Sequence, residues 1–226
     1  MNEADSNLIL NFVSTGNYVK ALQLIRRNLS VDPEDYFSNY HAGFCQRFLG
    51  NLDEAIQHYT VAARVKPEMA PAQLGLGIAF QLSGNFDAAL EALHRAIKLN
   101  PNLIEAYNSL GLTYKKLNQL RRALECYQSG IDRVWDSVQE KVHERSELCY
   151  QIDQNGRRTV LPFVFTETQR LLKSNAIYAV LCNNAGVCLN LLGDSEQARS
   201  RFEESIDCTP DGYDYREPVD NLKNLA

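Results

Sequence analysis

The chain has 226 residues, 45% of them hydrophobic and 23% charged, with a formal net charge of −5. That balance suits a single soluble domain, and the negative charge argues against a nucleic-acid backbone as the main partner. No apolar run approaches the length that spans a bilayer, so no membrane role is expected. The N-terminus, MNEADSNLIL, is acidic and has no basic-then-apolar leader pattern, so a cytoplasmic location is expected.

Along the chain, landmarks recur at a spacing of 34 residues. Gly43, Gly77 and Gly111 form one row, and Ala21, Ala55, Ala89 and Ala123 a second. Ala62 and Ala96 repeat in step, as do Pro67 and Pro101. A fixed period of this length marks stacked helical hairpins. The first repeat, 2–35, is degenerate: Ile9 takes the glycine place, while Gly16, Ala21 and Pro33 keep the register. Terminal repeats are often atypical, because one face has no neighbour. Repeats 36–69, 70–103 and 104–137 follow.

The third repeat shows the unit most plainly. Ala72, Leu76, Ala79 and Phe80 follow helical spacing, as do Phe86, Ala89, Leu90, Leu93, Ala96 and Ile97. Between them, Gly84 is placed to end one helix in the left-handed conformation and Asn85 to cap the next. The second helix must stop before Pro101. The same turn recurs as Gly16-Asn17, Gly50-Asn51 and Gly193-Asp194, and in weaker form as Asn118-Gln119. Small residues such as Gly77 and Ala89 are expected where the two helices of a hairpin cross, and Ala96 where the next hairpin docks. A larger side chain there would overpack the contact at a cost of about 1–3 kcal/mol.

After Gly111 the next glycine landmark is Gly186, 75 residues on, which is one period plus 41 residues. The excess is assigned to an insertion, 138–178, ahead of a fifth repeat, 179–212, that keeps Ala185-Gly186, Gly193, Ala198, Phe202 and Pro210. Ile131, Trp135, Val138, Val142 and Cys149 continue at helical spacing, so the second helix of repeat four is expected to run to about Leu148. Thr166-Glu167-Thr168-Gln169 has the form of a capping box. It would open a helix running through Leu171, Leu172, Ile177 and Leu181 into repeat five. Between these helices lies YQIDQNGRRTVLPFVF, where Asn155-Gly156 predicts a small hairpin or an ordered loop. At the far end Pro218 suits the first turn of a capping helix over about 216–226.

These residues resemble the tetratricopeptide repeat family. Tyr107, Leu110-Gly111, Tyr114, Ala123 and Tyr127 match its pattern in one repeat, and Ala42-Gly43, Ala55, Tyr59, Ala62 and Pro67 in another. The match covers about four fifths of the chain. The resemblance implies an all-α fold: a right-handed α-α superhelix of five helical hairpins. An inserted helical extension or hairpin would sit between repeats four and five, with a short C-terminal capping helix. It also implies a concave face, lined by the first helix of each hairpin, that binds proteins or peptides.

On that register the residues after the glycine place are Leu10, Phe44, Ile78, Leu112 and Val187, all apolar. Three before it stand Ser6, Tyr40, Leu74, Asn108 and Asn183, and four after it Val13, Arg47, Gln81, Lys115 and Asn190. The apolar row either packs against neighbouring first helices or lies open as a docking stripe. The candidate binding residues are Phe37, Tyr40, Phe44, Arg47, Leu74, Ile78, Gln81, Asn108, Lys115 and Asn183. Phe37, Tyr40 and Phe44 with Arg47 form the expected anchor, because aromatic residues and Arg dominate interface energies. The Lys and Asn set with which family members grip a chaperone's C-terminal carboxylate is not matched, so that sub-class is disfavoured.

A second candidate surface is the insertion tip, with Arg157, Arg158, Leu161, Phe163 and Phe165. Its apolar run either packs back as a satellite core or docks a second partner. Two arginines are too few for stable membrane anchoring.

No catalytic constellation stands out, so no enzyme activity and no cofactor is expected. His143-Glu144 lacks the second histidine of a zinc helix, and there is no phosphate loop. The six cysteines include no C-x-x-C pair and read as reduced, mostly buried thiols, with no metal site expected. The expected function is a non-catalytic adaptor holding a protein or peptide segment. The alternative is a self-assembling, homo-oligomeric scaffold or assembly factor that uses the insertion.

Overall fold

The computed structural model describes residues 3–144, 150–152, 158–160 and 162–225. In chain order the helices are α1 (Glu3–Ser14), α2 (Tyr18–Val31), α3 (Tyr36–Phe48), α4 (Leu52–Val65), α5 (Ala70–Leu82), α6 (Phe86–Leu99), α7 (Ile104–Lys116) and α8 (Leu120–Glu144). Strands β1 (Tyr150–Ile152) and β2 (Arg158–Val160) come next, then α9 (Pro162–Lys173), α10 (Ala176–Leu191), α11 (Ser195–Asp207) and α12 (Glu217–Lys223). The chain divides into two compact units, Met1–Thr113 and Tyr114–Ala226, and the division falls inside α7 rather than in a linker.

Within the first unit α1–α2, α3–α4 and α5–α6 pack as helix pairs, and α2–α3 and α4–α5 pack between pairs. The turn inside each pair is the Schellman arrangement that the Gly-Asn dipeptides predict. At the end of α5 the Gly84 N–H donates to the Gln81 carbonyl at 3.2 Å and the Asn85 N–H to that of Phe80 at 2.9 Å. Both bonds satisfy carbonyls orphaned at the helix end. The geometry needs positive φ, and Gly84 stands at +82°. At the one such turn without glycine, in the second unit, Asn118 takes φ +57°, a conformation that Asn tolerates better than most residues.

The expected side-chain caps form only in part. Asn85 Oδ1 accepts from the Ala88 N–H at 3.3 Å and Asp194 Oδ1 from that of Gln197 at 3.0 Å. Asn17 and Asn51 instead donate to Thr15 Oγ1 in the turn at 3.0 Å and to Gln46 Oε1 on α3 at 2.8 Å. The glycine rows do mark the crossing of the two helices of a hairpin. A Cβ on Gly77 would lie 2.7 Å from Leu93 Cγ, on Gly43 2.8 Å from Tyr59 Cγ, and on Gly186 2.6 Å from Phe202 Cε1. Each glycine makes room for the large side chain one turn beyond the alanine.

In the second unit α10 packs on α8 and on α11, so repeat five docks on the long helix of repeat four despite the inserted residues. A polar chain fixes that junction. Trp135 Nε1 donates to the Tyr178 hydroxyl at 2.6 Å, and that hydroxyl donates to Glu204 Oε1. Arg201 donates to the other Glu204 oxygen at 2.7 Å and to Gln128 Oε1 at 2.6 Å.

The insertion differs from expectation in one respect. The helix leading into repeat five is two helices, not one. Pro162 opens α9, as Pro favours the first helical position, so Thr166-Gln169 lies inside that helix and is no capping box. Ser174-Asn175 then breaks the run. The Ser174 hydroxyl donates to the Leu171 carbonyl at 2.7 Å and competes with the helix ladder. The hairpin does form: β1 and β2 pair antiparallel with Gln151 opposite Thr159. The continuation of α8 toward Leu148 lies outside the described residues.

Cys45, Cys182 and Cys188 are buried and Cys126 and Cys208 half-buried, all as free thiols, while Cys149 lies outside the described residues. Among the described residues no helix is long and apolar enough to cross a membrane.

Candidate functional site

In the first unit α3 contacts α5 as well as α4, so first helices of successive hairpins share a face. Of the predicted anchor residues Phe44 and Arg47 meet there on α3, joined by two aromatics that the register rows leave out, while Phe37 packs on the α1–α2 core. Phe48 lies one turn beyond Phe44, with ring centroids 4.7 Å apart. Tyr18, at the start of α2, stacks on Phe48 at 5.1 Å and 19°. The Arg47 guanidinium covers both phenylalanines, its Cζ 4.4 Å from the Phe48 centroid and 5.3 Å from that of Phe44. Its Nε is buried without a hydrogen-bond partner.

Phe48 remains 51% exposed in this frame, and Leu82, one repeat on at the same place, is 54% exposed. Leu10 is 43% exposed, while Phe44, Leu74 and Ile78 are half-buried. The apolar row is therefore partly packed and partly open, and the exposed apolar surface continues beyond it to Phe48 and Leu82 at the C-terminal ends of α3 and α5. Phe48 is legible in the sequence as the next turn of the Tyr40–Phe44 stripe. Tyr18 shares its place with Leu52, Phe86 and Leu120 at the start of each second helix, outside the first-helix rows from which the groove is read.

The other candidates are dispersed. Tyr40 sits edge-on to Tyr59 at 5.9 Å and serves the core. Gln81 Nε2 donates to the Ser109 carbonyl at 2.9 Å and to Thr113 Oγ1 at 2.7 Å. Asn108 is half-buried. Lys115 and Asn183 belong to the second unit. Asn183 is only 1% exposed: its Oδ1 accepts from Asn221 at 2.8 Å and its Nδ2 donates to Glu217 at 3.4 Å, so α12 occupies that place. At the insertion tip, Arg157 and Leu161 lie outside the described residues. Arg158 is in β2, and Phe163 and Phe165 are in the first turn of α9.

His41 lies between the Phe37 and Tyr40 rings, with centroids at 4.3 and 5.1 Å. Burial disfavours its charged form and pulls the imidazole down to about 4. Above the ordinary histidine value of about 6.5 the folded and unfolded states are both neutral. Below it the unfolded chain takes up the proton first, so His41 lowers stability as pH falls from there toward about 4. The loss of urea midpoint between neutral pH and pH near 4.5 is expected to shrink in His41→Gln. An unchanged loss would exclude this contribution.

A family model for the TPR repeat matches residues 80–118, and a second, for the tetratricopeptide repeat, matches residues 104–133. Residues 80–133 thus match tetratricopeptide repeats. No curated protein matches it in sequence. Among solved structures it is similar to TTC0263, a thermophilic TPR protein of Thermus thermophilus, at TM-score 0.64 and 16% identity, over 99% of this chain and 98% of that one. It is similar to MamA from Desulfovibrio magneticus RS-1 at TM-score 0.63 and 16% identity, over 91% and 93%. It is also similar to YrrB, a TPR protein with an unusual peptide-binding site, at TM-score 0.60 and 19% identity, over 98% and 91%. At these identities the likeness is one of fold, that of an all-helical TPR solenoid. The TPR fold implies protein–protein interaction, and TPR proteins bind proteins or peptides.

Proposed function

We propose that this chain is a non-catalytic binding module that holds an apolar segment of a partner protein on the α3–α5 face of its first unit. The observation that carries the reading is the Phe48–Arg47 pair. A large aromatic half open to solvent stacks on Tyr18 and lies under the Arg47 guanidinium. Rigid aromatics and arginines are the groups that carry interface energy. A guanidinium lying over the two phenylalanine rings suits a partner that supplies a carboxylate or carbonyl oxygen next to its apolar side chain. The peptide-binding site of YrrB, a protein of the same fold, supports the reading.

Peptides selected from a displayed random library on the full chain are the test. They are expected to bind about tenfold or more weakly to Phe48→Ala and to Arg47→Gln, the loss typical of an interface hot spot. Tyr40→Ala is no probe of this face, since Tyr40 packs on Tyr59. Selected peptides that bind both variants as tightly as the native chain overturn the proposal.

A further inference from the structure

The second unit carries a cleft that neither the repeat register nor the first-unit face accounts for. It lies among α8, α9 and α11 and has a volume of about 640 Å³, within the range that takes a small ligand or a few side chains of a docked segment. Trp135, Leu172 and Cys208 form its apolar part, and Glu203, Glu204 and Asp207 its charged part. The Trp135 N–H is committed inward to Tyr178, which fixes the indole plane. No cation lies over that ring among the described residues. Glu204 is already neutralised by Arg201. Glu203 and Asp207, one turn apart on α11, are exposed and have no ion-pair or hydrogen-bond partner among the described residues. Like charges at that spacing repel, so the pair is mildly unfavourable as it stands.

Burial first, and then Glu204 and Asp207, push the Cys208 thiol up to about 11, against the opposing charge of Lys173. Two carboxylates without an ion-pair partner among the described residues, lining the same cleft as an ordered indole, present a cation with both Coulombic attraction and a π face.

We propose that this cleft is a second docking site, for a basic amphipathic segment of another protein. A Lys or Arg of that segment sits between the Trp135 ring and the carboxylates of Glu203 and Asp207, and an apolar neighbour rests on Leu172. The site stands apart from the first-unit face and does not depend on that reading.

Trp135 is the only tryptophan in the chain, so its emission reports on the cleft directly. The full chain is titrated with an amphipathic lysine–leucine peptide and with its glutamate–leucine counterpart. A saturable change in emission is expected with the first alone, weakening as salt is added. The double variant Glu203→Gln/Asp207→Asn is expected to bind about tenfold or more weakly, the scale of two lost charge contacts. Both positions are exposed, and circular dichroism checks that the helices persist. The control Asp53→Asn/Glu54→Gln removes the same charge from α4 in the first unit and is expected to titrate as the native chain does. Absence of a saturable change, an equal response to both peptides, or equal weakening in the two double variants overturns the proposal.

Discussion

Tyr59→Ala is expected to destabilise the first unit by about 3–5 kcal/mol, the usual cost of truncating a large buried aromatic. The ring is 1% exposed and lies between two helix backbones. A Cβ on Gly43 would stand 2.8 Å from its Cγ, and one on Gly75 2.4 Å from its Cε1. Two glycines on two helices thus accommodate one side chain, and α3, α4 and α5 close on it together. Removing the ring leaves a void that collapses only if those backbones move. A fall in urea midpoint at unchanged slope is the expected reading. Gly75→Ala tests the same contact from the other side. Alone it must displace the ring, at about 1–3 kcal/mol. In the Tyr59→Ala background the methyl enters the void, so most of that cost should vanish. Strict additivity of the two changes would mean that the ring and the glycine do not share the space. Phe48→Ala, at a half-exposed site, should cost far less than Tyr59→Ala.

That pair also shows what is legible in the sequence. The 34-residue period places Gly43 and Tyr59 in register without any coordinates, because the period is itself a packing constraint. The turn glycines are readable for the same reason, since one backbone geometry must recur in each hairpin. Features that the period does not encode stay hidden. Gly75 lies outside the glycine row and in the sequence is only part of a G-x-G inside a helix, yet it faces Tyr59 from the next hairpin. The break at Ser174-Asn175 is a local competition between side-chain and helix hydrogen bonds, and the apolar spacing runs through it undisturbed. The hold of Glu217 and Asn221 on Asn183 depends on the path of an irregular segment, 208–216. The Trp135 cleft joins α8 to α11 across the insertion, so no spacing rule connects its indole to its carboxylates.

Replacing Tyr178 tests whether the junction across the insertion rests on the polar chain or on packing alone. The Tyr178 ring is fully buried and edge-on to Trp135 at 6.4 Å. Burial, with the neighbouring Cys182 and Glu204 acting in the same sense, raises its phenol above the ordinary tyrosine range, so it stays protonated and donates throughout any practical assay. Tyr178→Phe keeps the ring and removes the one oxygen that both accepts from Trp135 and donates to Glu204. Two half-buried groups then lose a partner, at about 1–3 kcal/mol. Tyr178→Ala adds the cavity, for a total of about 3–5 kcal/mol. The two variants separate on Trp135 emission. In Tyr178→Phe the indole loses its hydrogen bond while its packing remains, so a shift in emission with a modest fall in urea midpoint is expected. A second shift on Glu204→Gln in the native background, absent in Tyr178→Phe, would show that Glu204 reaches the indole only through the phenol. If Tyr178→Phe matches the native chain in midpoint and emission, hydrophobic contact between α8 and α10 suffices to seat repeat five. The hydrogen-bonded chain would then contribute nothing to tolerance of the inserted residues.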